Sequence, residues 1–156
     1  TCALLEDHSV VCFGDNSYGT LATGDTAAVP RTRRVIVPIS NVRAIASGYQ
    51  QSCAITMGGE LWCWGYDWGV LLPSEDFTTT PVRITLPGPV QQVVLGYSDG
   101  CALLESGDVW CAGGLFRGAP TEPYETTLRT VPGVANVVQL TASFASASGT
   151  ATRSGS

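Results

Sequence analysis

Apolar residues in this chain gather into short runs, and the runs recur. "CALLEDHSVVC" (Cys2 to Cys12), "CAITMGGELWC" (Cys53 to Cys63) and "CALLESGDVWC" (Cys101 to Cys111) each carry two apolar arms around a polar or glycine-rich centre. Runs this short, bounded by turn residues, read as strands rather than helices. "VRAIASG" precedes the second hairpin, "QQVVLG" precedes the third, and "VVQLTAS" opens a fourth unit. "PRTRRVIVP", "TPVRITLP" and "TLRTVP" follow, each a strand-like segment closing on proline. Within the second hairpin Ile55 and Leu61 share a face with the cysteines, while Ala54, Trp62 and Trp64 take the other. In the third, Leu103 and Val109 oppose Ala102, Leu104 and Trp110. Such sheets are apolar on both faces and must be covered on both. Short sheets stacked around an axis meet that need, whereas a two-sheet sandwich leaves one face polar. The pattern predicts an all-β propeller of four-stranded antiparallel blades, with Trp62 and Trp110 in the core between blades.

The cysteine spacing sets the hairpin register. If the two cysteines of each unit face each other, the loops have three residues: Glu6-Asp7-His8, Met57-Gly58-Gly59 and Glu105-Ser106-Gly107. Three-residue hairpin loops end with a residue in the left-handed region, usually glycine. Gly59 and Gly107 supply it, and His8 is of a type enriched there among non-glycines. Facing Cα atoms in an antiparallel pair lie within disulfide reach. The pairs Cys2–Cys12, Cys53–Cys63 and Cys101–Cys111 are therefore read as disulfides, with free thiols and a metal site as alternatives. Zinc favours closer cysteine spacing and histidine partners, and this chain has one histidine. Disulfides imply an oxidising compartment: extracellular, cell-surface or periplasmic.

Cys2, Cys53 and Cys101 recur at intervals of 51 and 48 residues, a solenoid or propeller period. The units run over about 1–41 (incomplete at its start), 42–89, 90–133 and 134–156 (incomplete at its end), one partial propeller over 1–156. Gly149 stands where a fourth leading cysteine would fall, and Gly155 matches Gly107. Both ends cut through a repeat, so the expectation is a piece of a longer chain.

Composition narrows the partners. The net charge is −5, with 13 acidic residues against 8 basic ones, and there is no lysine. A nucleic-acid binder carries a basic field, so none is expected here. No apolar run approaches the length of a membrane span.

"VRAIASGYQQSCAITMGGELWCWG" is similar to the repeat of the regulator-of-chromosome-condensation family: V-x-x-I-A-x-G, then H-S-C/L-A-L, then D-G-x-V-x-C/A-W-G, then N-x-x-G-Q-L-G. "FGDNSYGTLATGD" (Phe13 to Asp25) resembles the last element, with Thr20 for the usual Gln. The later units depart from the pattern after Trp64 and Cys111. The resemblance implies a β-propeller, usually seven-bladed, of which this chain supplies about three blades. The remaining blades would come from the same chain or from further copies of it. The cysteine-paired form resembles bacterial secreted or surface members. The family includes a guanine-nucleotide exchange factor for a small GTPase, inhibitors that bind β-lactamases, and interaction modules.

Candidate chemistry is sparse. His8 is accounted for by its turn, and no nucleophile elbow, phosphate loop or metalloprotease motif occurs. Asp15, Asp25 and Asp67 read as turn formers, because "GDNSYGTLATGD" lacks the order of a calcium loop. No catalytic residue, metal or cofactor is therefore expected. Tyr49, Tyr97 and Phe144 hold equivalent places after the "VxxIxxG" strand, which puts them along one rim as a candidate protein-binding surface. Tyr18, Trp68 and Phe116 form a second set, read as packing. The expected function is a non-catalytic protein-binding scaffold working through blade-end loops. The alternatives are a nucleotide exchange factor, a lectin-like or hydrolytic propeller, and a self-assembling structural repeat.

Overall fold

The computed structural model describes residues 1–30, 32–66, 77–97, 99–113 and 125–142. The described residues form eleven strands in three antiparallel sheets. The first sheet is β1 (Cys2–Leu4), β2 (Val10–Cys12) and β3 (Val35–Ile36), paired in that order. The second is β4 (Val42–Ser47), β5 (Gln51–Thr56), β6 (Leu61–Tyr66) and β7 (Phe77–Ile84). The third is β8 (Val90–Leu95), β9 (Asp99–Leu104), β10 (Val109–Gly113) and β11 (Glu125–Thr130). Each is a meander in which neighbours in sequence are neighbours in the sheet.

The hairpin register is the one the cysteine spacing predicts. Cys2 faces Cys12, Cys53 faces Cys63 and Cys101 faces Cys111, and all three pairs are disulfides. The third loop residue is left-handed each time: His8 at φ 65°, Gly59 at 76° and Gly107 at 86°. Pro81 lies within β7, which ends the meander, where the pairing with β6 shifts register between Cys63 and Gly65. An edge position with irregular pairing is where a strand tolerates a residue without an N–H.

The blades stack head to tail. The disulfide face of each sheet meets the alanine face of the next. Val10 and Cys12 pack with Val42, Ala54 and Trp64 across the first seam. Cys53, Ile55 and Leu61 pack with Val93, Ala102 and Leu104 across the second. Leu103 and Cys111 then pack against Val134, Val137 and Leu140. A face-to-face sandwich pairs like surfaces, whereas this arrangement repeats one operation from blade to blade. It also explains why β5 is buried at all six positions.

A repeated hydrogen bond fixes the spacing. The carbonyl of the left-handed loop residue accepts from the valine that starts the next unit: His8 from Val42 at 3.0 Å, Gly59 from Val90 at 2.8 Å, Gly107 from Val137 at 3.1 Å. Residues 134–142 thus dock as β4 and β8 do, yet no strand is assigned to them. Their pairing partner by the repeat falls at 143–156, outside the described residues.

One core expectation needs correcting. Trp64 is fully buried, with its indole N–H on the Thr20 carbonyl at 3.1 Å. Trp62, on the same face, is only partly buried and stands opposite Arg83. Trp110 packs against the second seam as expected.

Candidate protein-binding rim

The loops between the first two strands of the second and third blades share one frame. Gly48 N–H donates to the Gln51 carbonyl at 2.9 Å, and Gly96 N–H donates to the Asp99 carbonyl at 2.8 Å. Each loop therefore turns tightly and holds its tyrosine at the same place. A side chain at Gly48 would be crowded: a Cβ there would lie 3.0 Å from Leu95 Cβ and 3.1 Å from the Gly96 carbonyl oxygen. That close approach brings the two loops together, and the rings of Tyr49 and Tyr97 reach 5.0 Å between centroids at a 45° tilt. The tilted geometry suits the ring quadrupoles and is worth about 0.5–1.5 kcal/mol for such a pair. Both rings stay open to solvent, Tyr49 at 50% exposure and Tyr97 at 42%. Phe144 lies outside the described residues.

A second aromatic pair sits nearby. Tyr18 meets Tyr66 with centroids 5.2 Å apart, tilted by 57°. Trp68 and Phe116, grouped with Tyr18 by sequence, lie outside the described residues. Between the first two blades a cleft of about 310 Å³ opens, lined by Asp15, Tyr18, Thr20, Tyr49 and Gln51 among others. Gln51 begins β5 and is 2% exposed, yet its Oε1 has no hydrogen-bond partner among the described residues.

Polar residues elsewhere serve the fold. His8 Nδ1 lies 3.2 Å from the Val42 carbonyl oxygen, alongside the backbone bond at that seam. Asp15 accepts from Ser17 N–H at 3.0 Å and Asp25 accepts from Ala27 N–H at 3.1 Å, both as turn formers. Asp67 lies outside the described residues. Asn16, which sequence reasoning passed over, is the hub of the loop after β2. It donates to Thr23 Oγ1 and to the carbonyls of Asp25 and Ala27, and it accepts from Leu21 N–H. Asp7 has its carboxyl held below the usual range, first by the Ser9 hydroxyl and then by the Ser9 N–H. Among the described residues no three His, Cys, Asp or Glu side chains cluster to hold a metal ion. Among them too, no helix is long and apolar enough to cross a membrane.

Stapled antiparallel sheets that stack disulfide face to alanine face, with equal loops aligned along one rim, are blades of a β-propeller. The family model for the regulator of chromosome condensation (RCC1) repeat matches residues 1–20 and 42–67. Those matched segments lie in the first two blades, and the β-propeller fold extends to the third. The RCC1 domain-containing protein RUG3, mitochondrial, of Arabidopsis thaliana is 34% identical over 90 residues. That match takes in 53% of this chain and 19% of the relative, so the chain spans about a fifth of that protein. Human WBSCR16 superposes with a TM-score of 0.70 at 19% identity, over 83% of this chain and 34% of that one. Prp20p of Saccharomyces cerevisiae superposes at 0.68 and 18% identity, over 83% of this chain and 35% of that one. At such identities the structural likeness concerns the fold.

Proposed function

We propose that these blades form part of a non-catalytic protein-binding propeller working outside the cytosol, with Tyr49 and Tyr97 as anchors of its binding rim. The Tyr49–Tyr97 pair carries this reading: two half-exposed rings, in equal register on successive blades, pre-ordered by their own stacking. Tyrosines held in place before binding lose little entropy on contact, which is why they recur as interface anchors. Protein binding is also the theme of related propellers. Prp20p is described with binding properties to Gsp1p and histones, and a further structure has Kap60 bound to yeast RCC1 (Prp20). The three disulfides support an oxidising compartment and weigh against a cytosolic or nuclear GTPase partner. The remaining blades belong to the same polypeptide or to further copies.

Site-specific photo-crosslinking tests the reading. A photo-reactive phenylalanine analogue is placed at Tyr49, at Tyr97, or at Met57, which is 52% exposed on the hairpin loop at the far end of β5. The expected result is one shared crosslinked protein from positions 49 and 97 and none from 57. Equal crosslinking from all three positions would overturn it.

A further inference from the structure

Basic residues are scarce in this acidic chain, yet two adjacent arginines are left unused by the fold. Arg33 and Arg34 are exposed, and neither side chain has a hydrogen bond or ion pair among the described residues. Other arginines are engaged: Arg83 pairs with Glu60 at 3.1 Å, and Arg43 donates to the Val90 carbonyl across the second seam. No Asp or Glu occurs from Thr26 to Gly59, so the pair meets no carboxylate along its own segment. The buried contacts of that segment come from Val35 and Val37, not from the arginines. The chain holds no other two adjacent basic residues.

The fold presents the pair at its periphery. Arg34 runs into β3, which is two residues long and last in its sheet. The strand is held by the pairings of Cys12 with Val35 and Val11 with Ile36. Ahead of it, the Arg33 N–H closes a turn onto the Pro30 carbonyl at 2.7 Å. One turn bond and a short edge strand are the kind of structure that opens locally while the rest stays folded. Downstream the chain is anchored: Val37 is buried, and its N–H donates to the Val10 carbonyl at 2.9 Å. Among the described residues no disulfide spans residue 34, since Cys2–Cys12 lies before it and the other two lie after it.

We infer that the Arg34–Val35 bond is a processing site for an endoprotease that reads paired arginines through acidic subsites. Guanidinium groups fit carboxylate-lined pockets by paired hydrogen bonds, and the pocket for the residue before the cut sets such an enzyme's specificity. Arg34 fills that pocket and Arg33 fills the one before it. Water adds across the amide. The Arg34 carbonyl carbon takes the hydroxyl and becomes a carboxylate, and the Val35 nitrogen takes the proton and becomes an amine. The cut separates the first hairpin covalently from the later blades. The hairpin stays seated through the first seam, through the Trp64 indole bond to Thr20, and through the Gly24 N–H on the Thr79 carbonyl at 2.9 Å. Arg31, a third arginine in this segment, lies outside the described residues. The rival use of the pair is a docking patch for an anionic surface, which a net charge of −5 and two cations serve poorly.

Limited proteolysis tests the site on the intact, folded and oxidised chain. An endoprotease specific for paired basic residues is added at a low ratio, and the products are read by amino-terminal sequencing and non-reducing denaturing electrophoresis. The expected result is one new amino terminus, at Val35, and two products that separate without reductant yet co-elute in native size-exclusion chromatography. Arg34→Ala should abolish the cut, and Arg33→Ala should slow it roughly tenfold or more, as loss of a charge-assisted contact does. Arg83→Ala should leave the rate unchanged. The variants at 33 and 34 should keep the wild-type melting temperature, because neither side chain has a partner to lose. Protein isolated from its native location should carry the same Val35 terminus. Cleavage only after denaturation would overturn the site. An unbroken Arg34–Val35 bond throughout the native protein would overturn it too, and is the result that a docking patch for an anionic surface gives.

Discussion

Replacing Gly59 by alanine adds one methyl group at the joint between the second and third blades. Gly59 has φ 76°, where an L side chain is strained by about 1–2 kcal/mol. The added Cβ would also lie 2.5 Å from Pro89 Cβ and 3.0 Å from Pro89 Cα. Pro89 is rigid and directly precedes Val90, whose N–H donates to the Gly59 carbonyl at 2.8 Å. The clash therefore pushes on the hydrogen bond that sets the seam, and overpacking of this kind costs about 1–3 kcal/mol. Together the two terms give about 2–5 kcal/mol, or a fall in Tm of roughly 5–15 °C for a domain of this size. Gly58 is the internal control. It is the neighbouring residue of the same loop, it lacks a positive φ, and a Cβ there would meet only Thr56 Oγ1 at 3.8 Å. Gly58→Ala should be neutral or stabilising by up to about 1 kcal/mol through the unfolded chain. Thermal and urea denaturation of both variants compare them directly. Equal effects at the two positions would refute the reasoning that the loop tip is the joint between blades.

Three further outcomes follow from the same geometry. Trp64→Ala should cost about 3–5 kcal/mol, while Trp62→Ala should cost about 1 kcal/mol, read by urea denaturation. Removing one staple as Cys101→Ala with Cys111→Ala should cost up to about 3 kcal/mol, the chain-entropy ceiling for so short a loop, read the same way. Asp7 should titrate by NMR below the usual aspartate value of about 3.9, and Ser9→Ala should move it back up. Because the folded value is the lower one, this stabilisation is present above the unfolded pKa and is lost as the pH falls through the folded pKa.

The hairpins were the most legible part of the sequence. A disulfide couples two positions at a known distance, and a three-residue loop demands a left-handed third residue, so Cys53, Cys63 and Gly59 constrain one another. Period-two alternation also assigned Ala54, Trp62 and Trp64 to one face correctly. It could not say how deep along the blade each ring lies. Trp64 lies beside Thr20 of the preceding blade's loop, whereas Trp62 sits beside the solvent-facing Glu60–Arg83 pair. That difference is set by the neighbouring blade, which strand periodicity does not contain. Tyr49 and Tyr97 were recognisable as equivalent by repeat position, but their stacking depends on the closeness that Gly48 permits. The unmatched Oε1 of Gln51 left no sequence signal, since a missing donor is a property of the surroundings. Asn16 had one: it occupies the Asn of the N-x-x-G element, and its four bonds explain why that loop needs an amide.

The most direct test of the account is disulfide mapping of the protein taken from its native location, by digestion and mass spectrometry without reduction. The account predicts three linkages, each within its own hairpin: Cys2–Cys12, Cys53–Cys63 and Cys101–Cys111. Six free thiols, or linkages between hairpins, would contradict both the blade construction and the assignment of the protein to an oxidising compartment.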